Sequence, residues 1–184
     1  MNISWVLADS AVADPIQDIA ELKRLGAFWG GWRTWRAWQT DNVICHDQNK
    51  TAELTRRNFQ NKCNFYIPNS VYASLDRPDG VKLYEGAFVH DVDHQEEIVS
   101  LHLAATQSDI ILLFGFNFTE PVKLEDRLLE HQAHYYRSLV KQAIKDNNQT
   151  QWVLVDHPGK IMQNYSELDN LTCDTLSNVL TILN

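Results

Sequence analysis

The sequence predicts an α/β protein with a single, mainly parallel sheet of about five or six strands and helices on both faces. Three observations carry this. Short apolar runs alternate with longer amphipathic segments from end to end. The run 109–116 is apolar on both faces, as the centre of a parallel sheet requires. No repeat, low-complexity tract or linker divides the 184 residues, so one domain is expected over 1–184. A chain of this length buries roughly 70% of its unfolded surface and needs no disulfide or metal staple. The alternative is an α+β domain with an antiparallel edge around residues 80–90.

The elements follow in order. Residues 3–8 read as a buried strand. Asp14 caps a helix, with Pro15 at its first position, Gln17 at capping-box spacing and Gly26 as its stop. A second strand spans 42–45, a helix 49–59 and a third strand 63–67, stopped by Pro68. A short helix covers 69–75, and 81–84 is a further strand. Asp93 caps a helix over 94–107, with Ile98, Leu101 and Ala105 on one face. Strand 109–116 and a long helix over 126–147 follow. In that helix Leu129, Ala133, Tyr136, Val140 and Ile144 form one stripe. Strand 151–156 and a closing helix over 172–183 complete the chain.

Composition narrows the function classes. Hydrophobic residues at 44% and charged residues at 22% exclude a disordered, collagen-like or coiled-coil chain. A net charge of −8 argues against a broad grip on nucleic acid or on an anionic membrane, leaving room for a local basic patch. Cys45, Cys63 and Cys173 show no CxxC spacing and fit free thiols in a reducing cytoplasm. Ala11-Val12-Ala13 mimics a signal-peptidase site, but there is no basic n-region and Asp9 breaks the apolar run, so no signal peptide is expected. The longest strongly apolar run, 110–116, is too short to span a bilayer.

In an open parallel sheet, ligands bind beyond the carboxyl ends of the strands, near the point where strand order reverses. Polar residues collect there: Asp9 and Ser10 after the first strand, His46 and Asp47 after the second, Asn117 and Thr119 after strand 109–116, and Asp156, His157 and Gly159 after strand 151–156. Two Asp/His pairs follow two different strands. A carboxylate that orients an imidazole is what general acid/base chemistry needs. Turns also favour these residue types, so each could serve the backbone instead.

Six Trp are present, four of them within residues 29–38. From Gly31 this segment reads as helical, with Trp32 and Trp35 sharing a face with Phe28. Arg33 and Arg36 lie three apart on the neighbouring face, suited to phosphate or carboxylate. Aromatic stripes at this spacing are more often core, and Arg beside Trp is often a packing contact. The cluster His90-Asp91-Val92-Asp93-His94 could ligate Zn or Mn if it folds back on itself. His131 and His134 fall on the solvated side of the long helix. No dinucleotide, P-loop, G-x-S-x-G or H-E-x-x-H motif occurs.

The opening strand and the element Ser108-Asp109-Ile110-Ile111-Leu112-Leu113-Phe114 after a helix resemble small Rossmann-like nucleotide-processing domains, of the nucleoside deoxyribosyltransferase, TIR and SLOG types. The resemblance implies a Rossmann-like fold and a nucleotide or sugar-phosphate ligand. It transfers no catalytic residue, because the flanks of Glu120 and Glu125 do not match the family's catalytic Glu.

The expected function is therefore binding or processing of a small anionic metabolite, a nucleotide or a sugar phosphate. His157 acts as acid/base with Asp156 as its orienter, and His46 with Asp47 is the second such pair. Asp9 and Asp47 hold ribose hydroxyls, Ser10 and Asn117 are further ligand contacts, and Arg33 and Arg36 hold phosphate. One alternative is an interaction protein that docks through the Trp-rich segment 28–38. The other is a metal-dependent hydrolase built on residues 90–94. No cofactor follows from the sequence, and a homodimer is compatible with it.

Overall fold

Runs of apolar residues bounded by turn formers set the strands, and amphipathic stretches set the helices between them. A computed structural model describes residues 1–8, 19–85, 95–116, 127–155, 165 and 167–183. Its elements are β1 (Ile3–Leu7), α1 (Ile19–Leu25), β2 (Ala27–Gly31), α2 (Trp32–Trp38), β3 (Asn42–Ile44), α3 (Gln48–Arg56), β4 (Asn64–Pro68), α4 (Asn69–Ser74), β5 (Lys82–Tyr84), α5 (Gln95–Ala105), β6 (Ile110–Phe114), α6 (Arg127–Asp146), β7 (Gln151–Val155), β8 (Leu171–Asp174) and α7 (Leu176–Leu183).

The eight strands form one sheet in the order β5-β4-β3-β2-β1-β6-β7-β8, and every neighbouring pair is parallel. The protein is an α/β, Rossmann-like fold. β5 pairs parallel with β4, so the antiparallel-edge alternative does not hold. Strand order reverses once, at β1, which lies between β2 and β6. From β1 to β5 the chain steps one way with α1 to α4 on one face. From β5 to β7 it steps the other way with α5 and α6 on the opposite face. One handedness of crossover produces this arrangement.

Both faces are packed. Trp5 and Leu7 of β1 point into a cluster with Leu22 of α1, Trp38 of α2 and Val179 of α7. Val6, between them, points to the other face with Trp29, Ile98, Leu101, Val140 and Trp152. A third cluster lies under α3, where Val43, Phe65 and Ile67 meet Leu54 and Phe59. The indole N–H of the buried Trp29 donates to Ser4 Oγ at 3.2 Å, and Ser108 Oγ lies 2.7 Å from the same oxygen. No helix among the described residues is long and apolar enough to cross a membrane.

Two strands depart from the sequence expectation. β2 occupies the Phe28-Trp29-Gly30-Gly31 stretch ahead of α2. Its glycines are there because neighbours press on the backbone. A Cβ on Gly30 would lie 2.2 Å from Thr34 Oγ1, and one on Gly31 would lie 2.3 Å from a Glu96 carboxylate oxygen. Because Phe28 lies in β2, it enters the α1-side cluster, whereas Trp32 and Trp35 pack toward the cluster under α3. They do not share a face. β8 takes the first turn of the expected closing helix. That helix starts later, where Asn178 N donates to Thr175 Oγ1 at 3.2 Å and Asn178 Nδ2 donates to Asp174 Oδ1 at 2.9 Å. The cap expected at Asp14 and that expected at Asp93 lie outside the described residues.

The four clustered Trp thus do different work. Trp38 is fully buried, edge-on to Phe28 and to Phe114 at 6.1 and 5.4 Å between ring centres. Trp32 is half-buried at the surface. Trp38→Ala should cost about 3–5 kcal/mol in urea unfolding, and Trp32→Ala about 1 kcal/mol. Equal losses would contradict this division.

Candidate functional site

At the carboxyl edge of the sheet, α2 begins at Trp32 directly after β2, and Cys45, His46 and Asp47 follow β3. α5 runs back over β1, β2 and β3, and its first turn carries Glu96 and Glu97. The positive end of a helix dipole favours carboxylates there. Both side chains are buried, at 8% and 2% exposure. They serve opposite sides. Glu97 accepts a hydrogen bond from the Tyr136 hydroxyl of α6, which ties the two helices together. Glu96 turns to the sheet edge, where only a glycine at position 31 leaves room for it.

His46 meets Glu96 there. Its Nδ1 lies 3.5 Å from Glu96 Oε1, and the imidazole is 41% exposed. Interaction with the Glu96 carboxylate, as acceptor for the imidazole N–H, is the main reason the His46 pKa rises above its ordinary value. Partial burial opposes the rise, the charges of Glu96 and Asp47 add to it, and the nearby Arg33 guanidinium opposes it. Cys45 is buried. Desolvation first, and Glu96 second, push its thiol up to about 12, which leaves it unreactive at neutral pH. Burial and then Glu96 also push the Tyr84 phenol up. One buried carboxylate therefore acts on side chains that follow or end two strands, β3 and β5.

Asp47 is the N-cap of α3: its Oδ1 accepts from Lys50 N at 2.6 Å. The carboxylate that contacts the imidazole is Glu96, from a distant part of the chain. Sequence reasoning did not single it out. The signal was available, since two acidic residues in the first turn of a helix that is otherwise apolar must be buried for a reason.

Arg33 and Arg36 lie one turn apart on α2, as the spacing predicts. With Trp32 and Ala37 they line an open cleft of about 410 Å³. Three cations surround the Trp32 ring: Lys50 Nζ at 4.3 Å from its centre, Arg36 at 5.1 Å and Arg33 at 5.7 Å. Trp35 packs edge-on to Phe59 at 4.8 Å. With Trp29 and Trp38 in the core, Trp32 and Trp35 are what the segment retains near the surface.

Of the residues proposed from sequence, Arg33 and Arg36 share one cleft, and the Arg33 charge is felt at His46. Asp9, Ser10, Asn117, Asp156 and His157 lie outside the described residues, as does the 90–94 cluster. Among the described residues no three of His, Cys, Asp and Glu come together as a metal site requires. His131 and His134 are exposed on α6.

The raised His46 pKa has a consequence for stability. The imidazolium stabilises the fold fully below its unfolded value of about 6.5. That contribution is lost as pH rises through the higher folded value. In Glu96→Gln the His46 midpoint, followed by NMR, should fall back toward about 6.5. The stability gap to the wild type should be widest near pH ~6 and narrow at alkaline pH. An unchanged midpoint in the variant would contradict the pairing.

No family model matches the chain, and no curated protein or solved structure does so either.

Proposed function

We propose that this chain binds a small anionic metabolite, a nucleotide or a sugar phosphate, at the carboxyl edge of its sheet. The observation that supports this most is the meeting of His46, just after β3, with the buried Glu96 of α5 at that edge. Parallel sheets of this kind bind ligands there, close to the reversal of strand order. The Nδ1 edge of the partly exposed imidazole faces Glu96 at 3.5 Å, an arrangement in which the carboxylate orients the ring. Glu96 favours the protonated imidazole, the form that can donate to an anionic oxygen. Arg33 supplies a fixed positive charge beside it. This set fits binding with proton transfer to or from the bound ligand.

A thermal-shift screen over nucleotides and sugar phosphates tests the proposal. A ligand at about a hundred times its Kd adds roughly 2.7 kcal/mol. For a domain of this size that corresponds to a rise of about 5–10 °C in Tm. His46→Ala should reduce the shift. No shift with any member of the panel at millimolar concentration would overturn it.

A further inference from the structure

We infer that the outer side of α2 is a docking surface for an acidic segment of a partner protein, held by Arg36 and Lys62 where they lie over the Trp32 and Trp35 indoles. The inference stands on this surface alone and does not rest on the metabolite reading of His46.

Trp32 and Trp35 lie one turn apart on α2, each half-buried against the cluster under α3. Trp35 is braced edge-on by Phe59 at 4.8 Å. Arg36 lies over the Trp32 ring, 5.1 Å from its centre, and Lys62, in the turn before β4, lies over the Trp35 ring at 5.8 Å. Two indoles that are neighbours on one helix face thus carry a cationic head each. Both cations are exposed, and neither side chain makes a hydrogen bond or ion pair with a described residue. Their neighbours differ. Arg33 is engaged elsewhere in the chain, and Lys50 and Arg57 meet Glu53 at 2.8 and 3.1 Å. Glu53, the one acid of α3, is therefore already taken. Beside Arg36 opens the cleft lined by Trp32, Arg33, Arg36 and Ala37, with room for a carboxylate side chain.

Charge complementarity names the partner. Between residues 32 and 62 there are six Lys and Arg against three Asp and Glu, whereas the rest of the chain has ten against twenty-one. Charges beyond a Debye length, roughly 8 Å at physiological salt, are screened, so an approaching group responds to the local balance. A short acidic segment can stay within the basic region. An extended phosphate backbone would run on to a surface of the opposite balance. Nucleic-acid strands also need bare aromatic faces on which bases stack, and here the indoles carry cations. Carboxylates match what the surface offers: a planar fork at Arg36 and a point charge at Lys62. Trp and Arg are also the residue types that anchor protein interfaces. Cations already held by the indoles lose less freedom when a partner binds.

Fluorescence anisotropy of the whole chain with labelled oligoglutamate tests this, with oligo(Gly-Ser) and oligothymidylate of equal length as comparisons. Oligoglutamate should bind and the neutral peptide should not. The affinity should fall roughly tenfold between about 0.05 and 0.5 M salt. Arg36→Ala and Lys62→Ala should each weaken binding about threefold, and the double variant about tenfold. Arg36→Lys, which keeps the charge and loses the fork, should retain part of the affinity. Lys145→Ala removes an exposed cation from α6, on the opposite face of the sheet, and should leave binding unchanged. Absence of oligoglutamate binding overturns the inference, and so does binding that the double variant leaves intact. Equal losses in Lys145→Ala and the double variant would reduce the effect to overall charge and overturn it as well. Oligothymidylate bound as tightly as oligoglutamate would make this a nucleic-acid surface and overturn the acidic partner.

Discussion

The return crossing of α5 is the constraint on which the site depends. After β5, at one edge of the sheet, the chain must regain β1 to add β6 on its far side. It does so over β1, β2 and β3. Buried Ile98, Val99, Leu101 and Ala104 make the helix suited to lie between the sheet and α6. Because the helix runs back from the carboxyl edge, its first turn sits at that edge with two buried carboxylates. A buried carboxylate needs partners. Glu97 finds the Tyr136 hydroxyl, and Glu96 finds His46. The bare backbone at Gly31 provides the space. The elevated His46 pKa, the inert Cys45 thiol and the suppressed Tyr84 phenol all follow in part from where this one helix has to start.

The Trp-rich segment shows how one stretch of chain supplies both core and surface. Strand periodicity sends Phe28 and Trp29 to opposite faces of the sheet. The helix that begins at Trp32 then returns Trp38 to the face of Phe28 and leaves Trp32 at the rim. The two fully buried indoles anchor β2 and α2 to the sheet from either side. That anchoring fixes the first turns of α2, and with them the positions of Arg33 and Arg36. Surface charge is thereby organised by core packing, since a helix held at Trp38 keeps Arg33 and Arg36 on the outer side.

Much of this was legible in the sequence, and the gaps have physical causes. The parallel sheet was readable because β6 and β7 are apolar on both faces and long helical stripes separate the strands. The i, i+3 placement of Arg33 and Arg36 followed from the same periodicity. β2 was hidden because its glycines suggest a turn, whereas they mark close approaches by Thr34 and Glu96, which only the tertiary fold reveals. β8 was hidden because its four residues run into an apolar helix, although Asp174 and Thr175 form a legible cap. His46 was visible as a strand-end imidazole, but its partner was misplaced. The adjacent Asp47 competes for the role in sequence and is used by the backbone of α3 in space. Glu96 lies fifty residues away along the chain, so no local pattern connects it to His46.

The proposed function requires His46 and the rim around Trp32 to belong to one ligand site. Two-dimensional NMR of the whole chain, titrated with ribose 5-phosphate, tests it most directly, because imidazole and indole signals report each residue separately. The His46 ring and Trp32 indole signals should move together and saturate at one concentration, while the buried Trp29 and Trp38 indoles stay in place. Shifts confined to residues away from this edge, or a His46 signal that stays fixed while Trp32 moves, would contradict it.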